Sequence, residues 1–79
     1  MQAYVLVNTE PGKLWEIADE ALKIEGIKMA HAVTGQFDVV AYAEFTKMDE
    51  LGNIIEKLQR LQGVRRTQTS IVIPPTIRK

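Results

Sequence analysis

One joint occurs twice in this chain. Glu25-Gly26-Ile27-Lys28 and Gln62-Gly63-Val64-Arg65 each set a glycine after an amphipathic stretch and a β-branched residue directly after the glycine. Before each joint the apolar residues recur at helical spacing, and before each of those stretches lies a run of strand formers. Such a chain is a strand–helix–strand unit written twice. In the first copy, Ala3–Asn8 is the strand and Glu10-Pro11-Gly12 ends it. From Lys13 the period changes, with Leu14, Ile17, Ala18, Ala21 and Leu22 on one face and Glu16, Asp19, Glu20 and Lys23 on the other. Pro11 suits the first turn of that helix, where a missing N–H costs nothing. Ile27–Thr34 reads as the second strand, Gly35-Gln36 as a tight turn and Asp38–Phe45 as the third strand. Thr46 with Asp49 three residues on reads as a capping box for the second helix. Its stripe is Met48, Leu51, Ile54, Ile55, Leu58 and Leu61. Val64–Ile73 is the last strand, stopped by Pro74-Pro75.

The order predicts an α+β, ferredoxin-like βαββαβ domain over 1–79: a four-stranded antiparallel sheet with two helices on one face. Right-handed crossovers place strands one and three in the centre. The composition agrees, because Tyr4–Val7 and Val39–Ala43 are almost continuously apolar, whereas strands two and four carry Lys28, His31, Arg65, Arg66, Gln68 and Ser70. Two helices cover one face of such a sheet, and continuous apolar strands imply cover on both. At 79 residues and without cysteine, the chain buries only roughly 60% of its unfolded surface and has no disulfide to stabilise it. The expected cover is a second copy, dimerising through the sheet. The alternative is that Tyr4 and Tyr42 tile an exposed surface.

Ten bases balance ten acids, which argues against holding nucleic acid by bulk charge. The balance is uneven along the chain: residues 1–56 hold all ten acids, while 57–79 hold Lys57, Arg60, Arg65, Arg66, Arg78 and Lys79 and no acid. The two parts are expected to interleave in space. No apolar run approaches the roughly 20 residues of a membrane span. The N-terminus has no basic region followed by an apolar stretch and cleavage site, so a cytosolic protein is expected. No cofactor is expected, and one histidine, His31, without cysteine cannot build the usual transition-metal sites. Ser70 and His31 show no triad pattern, and Pro11-Gly12 is too poor in glycine for a phosphate loop. An RNA-binding sheet would need basic residues beside Tyr4 and Tyr42, and none follows them on those strands.

The turn Thr34-Gly35-Gln36-Phe37-Asp38 offers more chemistry. Gly35 can take a positive φ and leaves its N–H accessible, Thr34 brings a hydroxyl, and Asp38 brings an anion at the start of a strand. These groups suit a small zwitterion, with N–H and hydroxyl for its carboxylate and Asp38 for its ammonium. They also suit an ordinary hairpin, with Gly35 for the turn and Asp38 bonding its own backbone.

This Thr-Gly-x-aromatic-Asp run after a strand resembles the effector domain of the Lrp/AsnC family, the feast/famine regulators of archaea and bacteria. Three further segments fit: Thr9-Glu10-Pro11-Gly12 before helix one, Glu25-Gly26-Ile27 before strand two, and Leu61–Thr69 running into strand four. The resemblance covers essentially the whole chain. It implies a ferredoxin-like domain that dimerises through its sheets, assembles dimers into octamers or similar rings, and binds amino-acid effectors between dimers. By resemblance Thr34, Gly35, Gln36, Phe37 and Asp38 are effector-loop residues, and Gly63, Thr67 and Thr69 form an opposing wall. Phe37 stands where tyrosine or histidine is common, and Gln62 where proline is usual. The family's N-terminal helix-turn-helix has no counterpart before the first strand, so the expectation is a stand-alone amino-acid-sensing module. It would not bind DNA itself and could co-assemble with full-length relatives. The rival expectations are a small dimeric α+β-barrel enzyme, an ACT-like regulatory domain, and an assembly piece without ligand.

Overall fold

A computed structural model describes residues 1–75. Its elements are β1 (Gln2–Thr9), α1 (Leu14–Ala21), β2 (Ile27–Ala32), β3 (Val39–Glu44), α2 (Met48–Arg60) and β4 (Val64–Ile71). The antiparallel sheet has the order β2-β3-β1-β4, so the two apolar strands are central, as their composition predicts. Side chains alternate across β1: Ala3, Val5, Val7 and Thr9 are buried, while Gln2, Tyr4, Leu6 and Asn8 face the other way. The register sets Val5 against Ala41 and Thr69, and Tyr4 against Tyr42 and Ser70.

Both helices pack on the Val5 side. Ile17, Ala18 and Ala21 of α1 and Ile54 and Leu58 of α2 share one core with Val5, Val7, Val39 and Ala41. Each large aliphatic side chain buried there contributes about 1.5–3 kcal/mol. A smaller cluster of Ala3, Phe45 and Leu51 extends the core toward the start of α2. Among the described residues nothing covers the other face. Tyr4 and Met29 are exposed there, Leu6, Val40 and Tyr42 are half-buried, and the two tyrosine rings lie 5.3 Å apart, tilted by 50°.

The element ends differ from the sequence reading, each for a local reason. Val33 N–H donates to the Asp38 carbonyl at 2.8 Å, so β2 and β3 are joined by a four-residue loop, 34–37, in place of a two-residue turn. Pro11 precedes α1 rather than entering it. It sits with Gly12 in a β-turn closed by Lys13 N–H to the Glu10 carbonyl at 3.1 Å, and Lys13 is the N-cap. At α2 the N-cap is Lys47, and Glu50, not Asp49, reaches back to accept the Thr46 N–H at 2.8 Å. β4 ends at Ile71, though Val72 N–H still reaches the Gln2 carbonyl. Of the basic C-terminal residues, Arg78 and Lys79 lie outside the described residues.

Candidate functional site

The site forms where three strand ends meet: the end of β1, the end of β2 and the start of β3. Asp38 ties them together. Its N–H donates to the Val7 carbonyl at 2.9 Å. Its Oδ2 accepts the Thr9 N–H at 2.8 Å and lies 3.4 Å from the Thr9 hydroxyl. Thr9 is buried, and a buried N–H must find an acceptor; a carboxylate is a strong one. Through that oxygen Asp38 bonds the backbone of Thr9 rather than its own. Oδ1 has no protein donor among the described residues.

The loop is held from two more sides. Asn8 Nδ2 donates to the Gln36 carbonyl at 2.8 Å. The Arg66 guanidinium lies 5.9 Å from the centre of the Phe37 ring, within cation–π range. Between these ties Thr34, Gly35 and Gln36 are exposed, with Gly35 at φ +111°. Backbone N–H groups of residues 34–37 have no acceptor among the described residues. The loop thus presents consecutive donors beside a carboxylate with one oxygen free.

The other named residues sit differently. Gly63 is buried and joins the same strand end, because Glu10 N–H donates to its carbonyl at 2.8 Å; Ile17 and Lys13 close over it. Thr67 and Thr69 lie on the helix side of β4, opposite Val7 and Val5, and the Thr67 hydroxyl accepts from Gln59 Nε2 at 3.0 Å. Within one protomer β1 separates them from the 34–37 loop. Sequence reasoning missed Asn8, Thr9 and Arg66, whose roles depend on contacts made far along the chain. It also missed Trp15, which lies off the apolar stripe of α1.

Two clefts flank this architecture. One of about 330 Å³ adjoins the loop and is lined by Leu14, Trp15, Ala32, Val33 and Thr34. The larger, about 910 Å³, opens at the opposite end of the sheet between Glu25, Lys28, Glu44, Glu50 and Lys57. Its carboxylates and amines are exposed and of mixed sign, and Glu50 is already engaged by Thr46, so no set of groups converges there. Among the described residues no group of His, Asp and Glu is placed to hold a metal ion, and no helix is long and apolar enough to cross a membrane.

Residues 2–78 match the family model of the Lrp/AsnC ligand binding domain. The HTH-type transcriptional regulator LysM of Sulfurisphaera tokodaii is 30% identical over 74 residues, which are 92% of this chain and 53% of that protein. The chain spans about half the length of the curated relatives it matches. Among solved structures, hypothetical protein PHS023 from Pyrococcus horikoshii superposes with a TM-score of 0.83 at 28% identity, covering 94% of this chain and 90% of that one. The fold also matches the regulator NMB0573 from Neisseria meningitidis, solved as its L-Met complex, with a TM-score of 0.80, 24% identity, and coverage of 98% of this chain and 52% of that one. A βαββαβ sheet with a donor-rich loop at its end, matched over residues 2–78 by that model, places this chain in the Lrp/AsnC family, as its ligand binding domain.

Proposed function

We propose that the chain is an amino-acid-sensing module, not an enzyme, that binds its effector at the loop Thr34–Asp38. The observation that carries this reading is the loop itself. Consecutive N–H groups without acceptors among the described residues lie next to a carboxylate with one oxygen that has no donor among them, a pairing suited to the carboxylate and ammonium of one zwitterion. The fold-level likeness to a regulator solved with L-methionine is consistent with it. Thr67 and Thr69 act as the facing wall, supplied by another protomer, since β1 stands between them and the loop in the same protomer, whereas Gly63, buried under Ile17 and Lys13, supports the loop's own strand end from within. The site is then complete only in an assembly: a dimer through the open sheet face, and a ring of dimers that brings one loop to another protomer's wall. Such a module responds to amino acids in the cytosol and acts through full-length relatives that carry DNA-binding domains.

Calorimetry with the twenty amino acids tests this, using Asp38→Asn as the informative variant. Asparagine keeps an acceptor for the Thr9 N–H and removes the charge offered to the ammonium. The expected loss is about 1.5–3 kcal/mol of binding, as for a hydrogen bond to a charged group, with the fold intact. An effector that binds wild type and Asp38→Asn equally well removes Asp38 from the site. Heat from none of the twenty removes the sensing reading.

A further inference from the structure

Trp15 is 72% exposed. That is unusual for tryptophan, which is highly buried on average. It stands in the first turn of α1 and forms one wall of the 330 Å³ cleft, with Leu14, Ala32, Val33 and Thr34 as the others. Four of these five residues are apolar, and the fifth, Thr34, is the first residue of the effector loop. Among the described residues no charged side chain lines the cleft, and its volume lies at the small end of the roughly 300–1,000 Å³ typical of ligand sites.

From this geometry we propose that the cleft between Trp15 and Thr34 is the side-chain pocket of the effector site and that it selects amino acids with uncharged, apolar side chains. The inference rests on the reading of the 34–38 loop as the effector site. An amino acid whose α-carboxylate meets the loop N–H groups has its side chain directed to one side of the loop or the other. On the Thr34 side it meets Trp15 and Leu14. An aliphatic or aromatic side chain covers the indole there and removes apolar surface from water on both partners. A lysine or aspartate side chain would lose hydration in the same place and find no counter-charge. Discrimination therefore comes from an absent partner as much as from a present contact.

Trp15 is the chain's only tryptophan, so its intrinsic fluorescence reads this cleft alone. The full chain is titrated with L-leucine, L-methionine and L-phenylalanine in one arm and L-lysine and L-aspartate in the other, with calorimetry in parallel. The apolar amino acids are expected to shift the emission to the blue, saturating at the calorimetric Kd. Lysine and aspartate are expected to bind at least about tenfold more weakly, a gap of about 1.4 kcal/mol. Trp15→Ala, at an exposed position, should keep the fold, weaken the apolar amino acids about tenfold and narrow their advantage over lysine. Three results overturn the pocket while leaving the loop reading intact. The first is an apolar amino acid that binds with no emission change and with equal affinity in Trp15→Ala. The second is lysine or aspartate binding as tightly as leucine. The third is an emission that follows protein concentration and ignores ligand, which assigns the cleft to contact with a second copy. Absence of heat with every amino acid overturns pocket and loop reading together.

Discussion

Removing the Asp38 carboxylate takes away the acceptor on which a buried N–H, that of Thr9, depends. Stability rests on one oxygen of this carboxylate, while the proposed recognition would use the other. Asp38→Ala is expected to lower unfolding stability by about 1–3 kcal/mol, the cost of an unsatisfied buried donor, and Asp38→Asn by less, both read from denaturant midpoints. The acid at the start of a strand was legible in the sequence. Its partner was not, because Thr9 is 29 residues away and only the β1–β3 register brings the two together. Phe37 was legible as an aromatic in the loop, but its neighbour Arg66 comes from the far side of β1. Tyr42 adds a pH dependence at the same scale. Its phenol is pushed above the ordinary value first by desolvation, then by the Glu44 carboxylate to which it donates at 3.2 Å. The folded state thus holds the proton more tightly than the unfolded state. The stability this represents is fully present below the ordinary phenol pKa and lost as pH rises through the raised one. Tyr42→Phe should flatten that alkaline loss in a series of unfolding curves.

Among the elements, the two matched joints carry the duplicated pattern into three dimensions. Gly26 and Gly63 hold φ of +100° and +103°, so each turns the chain from a helix into a strand in a conformation that L side chains resist. Their surroundings differ. A Cβ at Gly26 would come within 2.6 Å of Ile54 Cδ1, in the packed core, whereas one at Gly63 would meet Ile17 and Lys13 at 3.2 Å. Both alanine variants should lose about 1–3 kcal/mol to backbone strain. Gly26→Ala should lose a further amount of about 1–3 kcal/mol to overpacking, and thermal unfolding of the pair measures the difference. The element order and the central position of β1 and β3 were readable because burial on a central strand writes itself as an unbroken apolar run. Element ends were less readable, since tertiary bonds set them. Val33 to Asp38 lengthens the loop, and Glu50 rather than Asp49 caps toward Thr46. Trp15 escaped notice for a related reason: periodicity finds the buried face of α1, and Trp15 lies on the other.

For the whole molecule the unresolved balance is between two sheet faces. The helix side is closed by a continuous core. The open side presents Tyr4, Leu6, Met29, Val40 and Tyr42, with Tyr4 43% and Met29 46% exposed. These residues come from three adjacent strands, so they form one patch, and a patch of this kind marks an interaction surface. In the dimer proposed above, a second copy would bring the same patch, and a two-fold axis through the tyrosines would let each sheet cover the other. A charge at the centre of such a contact meets its own copy across the axis and is desolvated as well. Tyr4→Glu is therefore expected to give a monomer with an unchanged circular dichroism spectrum, because Tyr4 supports no part of the helix-side core. Asp38→Asn acts at the sheet's end, away from the tyrosine pair, and is expected to disturb the contacts between dimers while sparing the dimer. Light scattering of wild type and the two variants, at matched concentrations, separates these levels. A Tyr4→Glu protein that keeps the wild-type mass places the dimer contact on another surface, and an Asp38→Asn protein that falls directly to monomer contradicts the two-level assembly.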